Sequence, residues 1–507
     1  MLYHIQKPDG AGWTDVSTAE TLPEAREEAL KKAGHRALSA AERRADMLLE
    51  VLRDIVSSTA SMDREAFRAH IDIAKLCLAE ISRPPVRFEA EGLTPSQYSC
   101  LVDIMEKRNV LITGPAGTGK SFLLKFLRDK LGPRLRVVAT TGVAAVNVGG
   151  STLHSWAGIG LGEGTAEELA AMILESPKAT ARVRKTTMLA VDEVSMLDAD
   201  LFCRLDEAFR IVRKKQVPFG GIQMVLFGDF LQLPPVAGQK SDARFAFQSP
   251  SWKASEIAVH QLTTVVRQSD SIFVETLSRV RMGIVDSFVR QVLSGRIGAE
   301  DPNPKIEPVV LECRNVDVDA FNRARLDALP GVDIVIPALD SGESRFSSAL
   351  DKSCLAPADL RLKAGAQVML LKNLDVEGGL VNGSVGIVQS IGESSVRVDF
   401  GTAGTCEVQR ARWSFFDGDG NVLATREQMP LRLAYAITIH KSQGCTLTKA
   451  KVNLRSAFAY GQAYVALSRV RDLSGLYIED IRWESIMASP EALAFYRDAA
   501  HPTPPLL

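Results

Sequence analysis

The chain has 507 residues, 60 Lys+Arg against 61 Asp+Glu for a formal net charge of −1, and 46 % hydrophobic residues. These values describe an ordinary globular protein with material for several cores, about three or four domains by length. They exclude a polybasic-tail mode of nucleic-acid binding, which needs a global cationic excess, and leave room for a locally basic groove. The longest uncharged stretch, Val137 to Gly162, carries Thr140, Thr141, Asn147, Gly149, Gly150, Ser151, His154 and Ser155, so it reads as strand and loop and no membrane partner is expected. No basic n-region followed by an apolar h-region opens the sequence. The seven cysteines are scattered without C-x-x-C, and the seven histidines are dispersed, which predicts reduced thiols, a cytoplasmic location (nucleoid-associated in a bacterium) and no structural metal.

Residues 1–90 read as a helical N-terminal extension. Pro23, the Glu27/Lys31 pair and Gly34 mark one helix; Met47, Leu48, Val51, Leu52 and Ile55 mark a second; Phe67, Ile71, Leu78 and Ile81 fall on one face of a third. Nothing there carries chemistry, so the expected role is packing or docking of a partner. Ser82-Arg83-Pro84-Pro85 reads as the linker that ends it.

From 91 to 265 short apolar runs alternate with helical stretches: Asn109 to Thr113, Arg136 to Thr140, Met188 to Val191 and Gln223 to Phe227. That alternation predicts a mainly parallel sheet. Similar runs at Val309 to Glu312, Ile334 to Pro337, Gln367 to Leu371 and Leu433 to Ile439 predict a second α/β unit over 266–377 and 431–490. Between 378 and 430 the runs Val385 to Gln389, Ser395 to Phe400 and Thr405 to Val408, with the turn Asp417-Gly418-Asp419-Gly420, predict a small all-β insertion. Residues 491–507 read as a C-terminal tail.

Gly114-Pro115-Ala116-Gly117-Thr118-Gly119-Lys120-Ser121 matches G-x-x-x-x-G-K-S/T, after a strand and before a helix. Its glycines let successive N–H groups face phosphate oxygens; Lys120 reaches the β/γ-phosphates, and Ser121 is a Mg²⁺ ligand. A nucleoside phosphate with Mg²⁺ is therefore the expected ligand, and the resemblance described next implies that it is ATP. Met188 to Val191 runs into Asp192-Glu193, which suits Asp192 as a metal-side carboxylate and Glu193 as the base that orients or deprotonates water. Gln232, after the run Gln223 to Phe227, is placed to sense the γ-phosphate.

In this order the motifs resemble superfamily I helicases, and within them the PIF-one family of 5′-to-3′ DNA helicases, from Leu93 to about Ile478. Leu93-Thr94-Pro95-Ser96-Gln97 resembles the adenine-reading motif, with Gln97 as the base contact. Thr140 to Ala145 and Ser151 to Trp156 are similar to the first strand-contacting motifs, and Leu205 to Val225, with Pro218-Phe219-Gly220-Gly221-Ile222-Gln223, to the family signature. Leu262 to Gln268 supplies Arg267, Leu380 to Ser384 the entry to an inserted domain, Ala434 to Gly444 motif V, and Tyr464 to Arg469 motif VI with Arg469 as arginine finger.

The resemblance implies two RecA-like P-loop lobes, a small inserted β-barrel at 378–430, and a wedge element at about 158–183 that matches only weakly. It implies an ATP-dependent 5′-to-3′ DNA helicase acting on single-stranded DNA and tailed or forked duplexes, in repair, recombination or replication. Single-strand-binding or repair partners would dock through residues 1–90. The implied DNA contacts are Thr141, His154, Ser155, His440, Lys441 and Ser442; Trp156 is open between base stacking and core packing. A RecD-like subunit or relaxase module is the nearest alternative, although Tyr3, His4, His35 and His70 lack relaxase cluster spacing. A nucleotide switch that does not hydrolyse is disfavoured by the intact Lys120, Asp192, Glu193, Gln232, Arg267 and Arg469.

Overall fold

A computed structural model describes residues 3–4, 18–19, 93–235, 244–266, 268, 270–301, 305–312, 318–342, 350–351, 354–375, 378–416 and 422–500. The chain divides into two compact units, Met1–Lys107 and Arg108–Leu507. In the first, the two-residue strands Tyr3–His4 and Thr18–Ala19 pair antiparallel. The helices expected within 1–90 lie outside the described residues. Helix Pro95–Met105 starts on a capping box in which Thr94 and Gln97 satisfy each other's backbone amides, with Pro95 at the first position where no donor is needed. Gln97, Cys100, Leu101 and Ile104 form its buried face.

The second unit contains two parallel sheets. The six-stranded sheet runs Ser151–Thr152, Leu135–Ala139, Met188–Asp192, Gln223–Phe227, Val110–Thr113, Ala258–Gln261 in spatial order. Val110–Thr113 and Gln223–Phe227 are buried throughout, the pattern of strands covered on both faces. All four runs expected here are strands; the edge strands at 151–152 and 258–261 are too short or too mixed in polarity to stand out. The four-stranded sheet runs Ala436–Thr438, Val309–Glu312, Ala450–Asn453, Leu476–Asp480, again all parallel.

Ile334–Pro337 and Gln367–Leu370, expected beside Val309–Glu312, belong to antiparallel pairings instead. The second joins a five-stranded sheet, Thr405–Gln409, Ser395–Asp399, Val385–Ile391, Gln367–Leu370, Leu431–Leu433. Leu339–Gly342, Val422–Gln428 and Ala411–Phe416 form a three-stranded sheet. The strands of 378–430 are thus shared between two sheets, each completed by strands from outside that stretch. A four-residue apolar run looks the same in either kind of sheet, which is why the pairing was not legible. The turn expected at 417–420 lies outside the described residues.

Three stretches gain definition. The weakly matching 158–183 contains helices Ala166–Glu175 and Pro177–Lys185, whose Leu169, Ala170, Ile173, Ala179 and Val183 are buried in the core of the first parallel sheet. Helix Ala199–Arg213 buries Phe202, Leu205, Phe209 and Val212 at helical spacing. Asp206 on that helix accepts from the Phe219 amide at 2.5 Å, and Arg213 donates to the Gly220 carbonyl at 2.7 Å. These bonds fix the Pro218–Gly221 turn, so the family signature is architectural. Residues 490–500, expected as the start of a tail, form helix Pro490–Ala500, whose Ala492 and Tyr496 lie in the same core and whose Phe495 stacks on Phe247 with ring centroids 4.4 Å apart. Among the described residues no helix is long and apolar enough to cross a membrane.

Candidate active site

Strand Val110–Thr113 delivers Gly114 to the carboxyl edge of the first sheet. The position requires glycine: φ is +142°, and a Cβ would lie 2.4 Å from the Leu262 carbonyl oxygen. Gly117 and Gly119 are left-handed, and helix Lys120–Leu131 starts directly after them. The Thr118 hydroxyl donates to the Pro115 carbonyl at 2.9 Å, cross-bracing the loop. Lys120 Nζ donates to the Gly114 and Pro115 carbonyls at 2.7 and 3.0 Å, so the ammonium lies over the loop. Ser121 is exposed in the first helical turn. The Ala116 amide donates to the Tyr464 hydroxyl at 2.7 Å.

Asp192 closes strand Met188–Asp192, and Glu193 follows in left-handed backbone (φ 55°, ψ 45°), a strained conformation for a non-glycine residue and one that concentrates at functional sites. Thr140 holds both: its amide donates to the Asp192 carbonyl at 3.2 Å and its hydroxyl to the Glu193 carbonyl at 2.9 Å. Burial raises the pKa of both carboxyls, and the neighbouring Asp192 raises Glu193 further, against the pull of Lys120 and Arg469. Gln443 Nε2 donates to Glu193 Oε2 at 2.9 Å. Arg469, 2 % exposed, donates to the Val465 carbonyl at 2.8 Å, the Ser442 carbonyl at 3.3 Å and the Ser468 hydroxyl at 2.7 Å.

Gln232 is buried after the third strand, with its Nε2 3.4 Å from Asp229 Oδ2. Asp229 receives Arg281 through two bonds of 2.9 and 2.7 Å. Burial works against ionisation of Asp229, yet the Arg281 charge and hydrogen bonds hold its carboxyl below the ordinary range. Tyr496 bonds the Thr113 hydroxyl at 2.6 Å and accepts from the Phe230 amide at 3.0 Å, tying the last residue before Gly114 to the C-terminal helix. Gly461, left-handed at φ +71°, lets the helix Gln462–Leu467 meet the Gln232 loop; a Cβ there would lie 2.3 Å from the Gln232 carbonyl oxygen.

The residues expected to contact a strand divide. Thr141 caps helix Gly142–Asn147 by accepting from the Ala144 amide at 3.2 Å. It adjoins Thr140, which bonds Glu193, so it lies beside the segment that carries Gln443. His440 is exposed and Lys441 half-buried on that segment. Ser442 is a correction: its side chain is fully buried and its hydroxyl donates to the Ile439 carbonyl at 2.8 Å, so it faces the core and supports Arg469 through its own carbonyl. His154 and Ser155 stand on helix Leu153–Ala157 beyond the edge strand, where a Cβ on Gly162 would lie 3.1 Å from His154 Nε2. Partial desolvation by the surrounding chain lowers the pKa of His154 and, although its outer surface is exposed, of His440, which favours the neutral imidazole at both. Trp156 is core, 1 % exposed and edge-on to Phe209 at 5.7 Å.

Gln97 uses its side-chain oxygen to accept from the Thr94 amide at 2.9 Å, within the first unit. Arg267 lies outside the described residues. Sequence reasoning missed Gln443, Tyr464, Arg281 and Tyr496. The first two stood inside the motifs AYAITIHKSQG and YVALSR; Arg281 and Tyr496 carried no local signal, because their partners are 52 and 267 residues away.

A parallel-sheet strand feeding a phosphate loop, a neighbouring strand ending in two half-buried carboxylates, and a second parallel sheet bringing a buried arginine toward them define a P-loop core of two RecA-like lobes. The chain belongs to the PIF1-like helicase family: the family model of that description matches residues 93–302, and one described as the 2B domain of DNA helicase Pif1 matches residues 345–391. It is 41 % identical over 409 residues to the ATP-dependent DNA helicase PIF1 of Homo sapiens, covering 80 % of this chain and 63 % of that one. To the ATP-dependent DNA helicase Pif1 of Bdellovibrio bacteriovorus it is 34 % identical over 441 residues, covering 86 % and 98 %. The unliganded Pif1 structure from Bacteroides sp superposes with a TM-score of 0.71 at 31 % identity, covering 81 % of this chain and 97 % of that one. The chain thus spans just under two thirds of the vertebrate relatives it matches.

Proposed function

We propose that the protein is an ATP-dependent DNA helicase that moves 5′-to-3′ on single-stranded DNA and unwinds tailed or forked duplexes. The observation that carries this reading is the bond from Gln443 to Glu193: the segment bearing His440 and Lys441, which we read as strand contacts, reaches the carboxylate expected to activate water. A motor needs that coupling; a passive nucleotide switch does not. Bacteroides Pif1 has been described in complex with ADP-AlF4 and bound to ssDNA, which supports the same pair of ligands here.

In this reading the P-loop amides and Lys120 hold the phosphates of ATP, Gln97 reads adenine, Glu193 orients the attacking water and takes its proton, Gln232 senses the terminal phosphate, and Arg267 and Arg469 stabilise its developing charge. The residues fit Mg²⁺: an exposed Ser121 hydroxyl and the Asp192 carboxylate are hard oxygen donors, and two adjacent half-buried carboxyls with raised pKa are short of positive charge. Bound there, Mg²⁺ supplies charge neutralisation for the phosphates. Thr141, His154, Ser155, His440 and Lys441 contact the strand by hydrogen bonding more than by charge. A cleft of about 320 Å³ lined by Asn373, Val381, Asn382, Gly444, Thr446 and Arg471 continues from that segment toward the antiparallel sheets, which we read as the inserted β-barrel. Leu161, 82 % exposed between Gly160 and Gly162, is the candidate strand-separating residue.

The proposal extends to a role in DNA repair, recombination or replication, a cytoplasmic or nucleoid location, and partner docking through residues 1–90. Its test is an unwinding assay on 5′- and 3′-tailed duplexes with ATP hydrolysis followed in parallel. Hydrolysis stimulated by single-stranded DNA and unwinding of the 5′-tailed substrate alone are expected. Lys120→Ala should lose nucleotide binding, and Glu193→Gln turnover only. Equal unwinding from both tails overturns the polarity, and hydrolysis indifferent to DNA overturns the motor.

A further inference from the structure

Tyr464 is 2 % exposed, and burial pushes the pKa of its hydroxyl up to about 12, so it is a neutral phenol. A phenol offers one donor and accepts through its oxygen. The oxygen accepts from the Ala116 amide at 2.7 Å, whereas the hydroxyl proton has no acceptor among the described residues. A buried donor without a partner is unfavourable, and one placed at a binding loop is explained by a group that the protein binds there.

Position says what that is. Ala116 is the third residue of the phosphate loop, directly after the Gly114 and Pro115 carbonyls that Lys120 Nζ meets at 2.7 and 3.0 Å, so it lies at the end of the loop where the ammonium read as reaching the β/γ-phosphates sits, away from the helix N-terminus that takes the inner phosphates. Tyr464 comes from the second lobe on helix Gln462–Leu467, five residues before Arg469, whose charge acts on both Tyr464 and Glu193. The charges that act on it are Asp229, Arg281 and Arg469. Gly461 sets the register by seating the start of that helix on the Gln232 carbonyl.

We propose that Tyr464 reads the terminal phosphate: its hydroxyl stays bonded to the Ala116 amide and donates its proton to a γ-phosphate oxygen of the bound nucleoside triphosphate. A diphosphate leaves that donor unmet. The residue therefore sets triphosphate-over-diphosphate selectivity, in addition to and separately from the arginines. The inference rests on the reading of the loop as a nucleotide site.

Calorimetric titration of the full chain with AMP-PNP and with ADP, each with magnesium, tests it. In Tyr464→Phe, AMP-PNP should weaken about tenfold and ADP by less than about twofold, the loss of one hydrogen bond to a charged group. Equal weakening of both ligands, or of neither, overturns the proposal. A ring-difluorinated tyrosine at the same position keeps the shape and makes the hydroxyl a stronger donor; it should tighten AMP-PNP alone, and an unchanged or weaker affinity also overturns the proposal. Wild-type protein that binds neither nucleotide sinks the nucleotide-site reading itself. Wild-type selectivity retained in full by Tyr464→Phe sinks the role of Tyr464 alone.

Discussion

Gln443 Nε2 lies 2.9 Å from Glu193 Oε2, across 250 residues of chain and between the two parallel sheets. A side-chain amide is a suitable group for this contact: it orients the carboxylate without the charge that would hold it permanently ionised.

Gln443→Ala should therefore lower DNA-stimulated kcat about tenfold while leaving the KM for ATP nearly unchanged, the signature of an interaction that matters in the transition state. Basal hydrolysis without DNA should fall less. Steady-state ATPase assays with and without single-stranded DNA check this, and an unchanged stimulation ratio contradicts it.

Glu193 has its carboxyl raised by burial and by Asp192. Protonation removes the base, so kcat should fall as pH drops through a value above the ordinary carboxylate range, and Asp192→Asn should move that limb to lower pH in whatever activity it retains. The same shift means that ionising Glu193 is easier in the unfolded chain, so stability declines as pH rises from the unfolded value through the raised folded one. Glu193→Gln should thus raise Tm by about 2–4 °C at pH 8 and leave it unchanged at pH 4, below both values. Thermal melts of nucleotide-free protein read this directly.

Arg281 meets Asp229 through two hydrogen bonds, and both side chains are almost wholly buried. Arg281→Ala leaves an unpaired carboxylate in the core and should cost about 3–5 kcal/mol in urea unfolding. Adding Asp229→Asn removes that charge and should recover part of the loss; a strictly additive double variant would show that the two groups do not interact.

His440 and Ser442 are two residues apart and face opposite ways. His440→Ala should weaken single-stranded DNA binding several-fold without lowering Tm. Ser442→Ala should lower Tm, and its effect on DNA affinity should be within about twofold, since a buried hydroxyl lost from the Ile439 carbonyl is a folding defect of about 1 kcal/mol. Fluorescence anisotropy with a labelled oligonucleotide separates them.

The phosphate loop was legible because its function needs contiguous residues: three glycines, a lysine and a serine must follow one another for the backbone to wrap a phosphate. The strand-Asp-Glu pattern was legible for the same reason. Arg281, Tyr464 and Tyr496 were not, since each acts on a group brought near only by the folded chain. Ser442 shows the opposite failure: a motif marks a segment, and segment membership does not say which way a side chain points. The antiparallel placement of Gln367–Leu370 was hidden because a short apolar run has no period to read.

Helix Pro490–Ala500 has a consequence for how this molecule is made. Its Phe495 and Tyr496 complete an aromatic cluster whose earlier members include Phe230, Phe245, Phe247 and Trp252, which emerge from the ribosome more than two hundred residues before them. A nascent chain that has already paired both parallel sheets still lacks the tyrosine that braces Thr113, directly before the phosphate loop. The first lobe is therefore finished last, and a stop codon between 470 and 495 yields a protein with every nucleotide motif present and the floor beneath them missing.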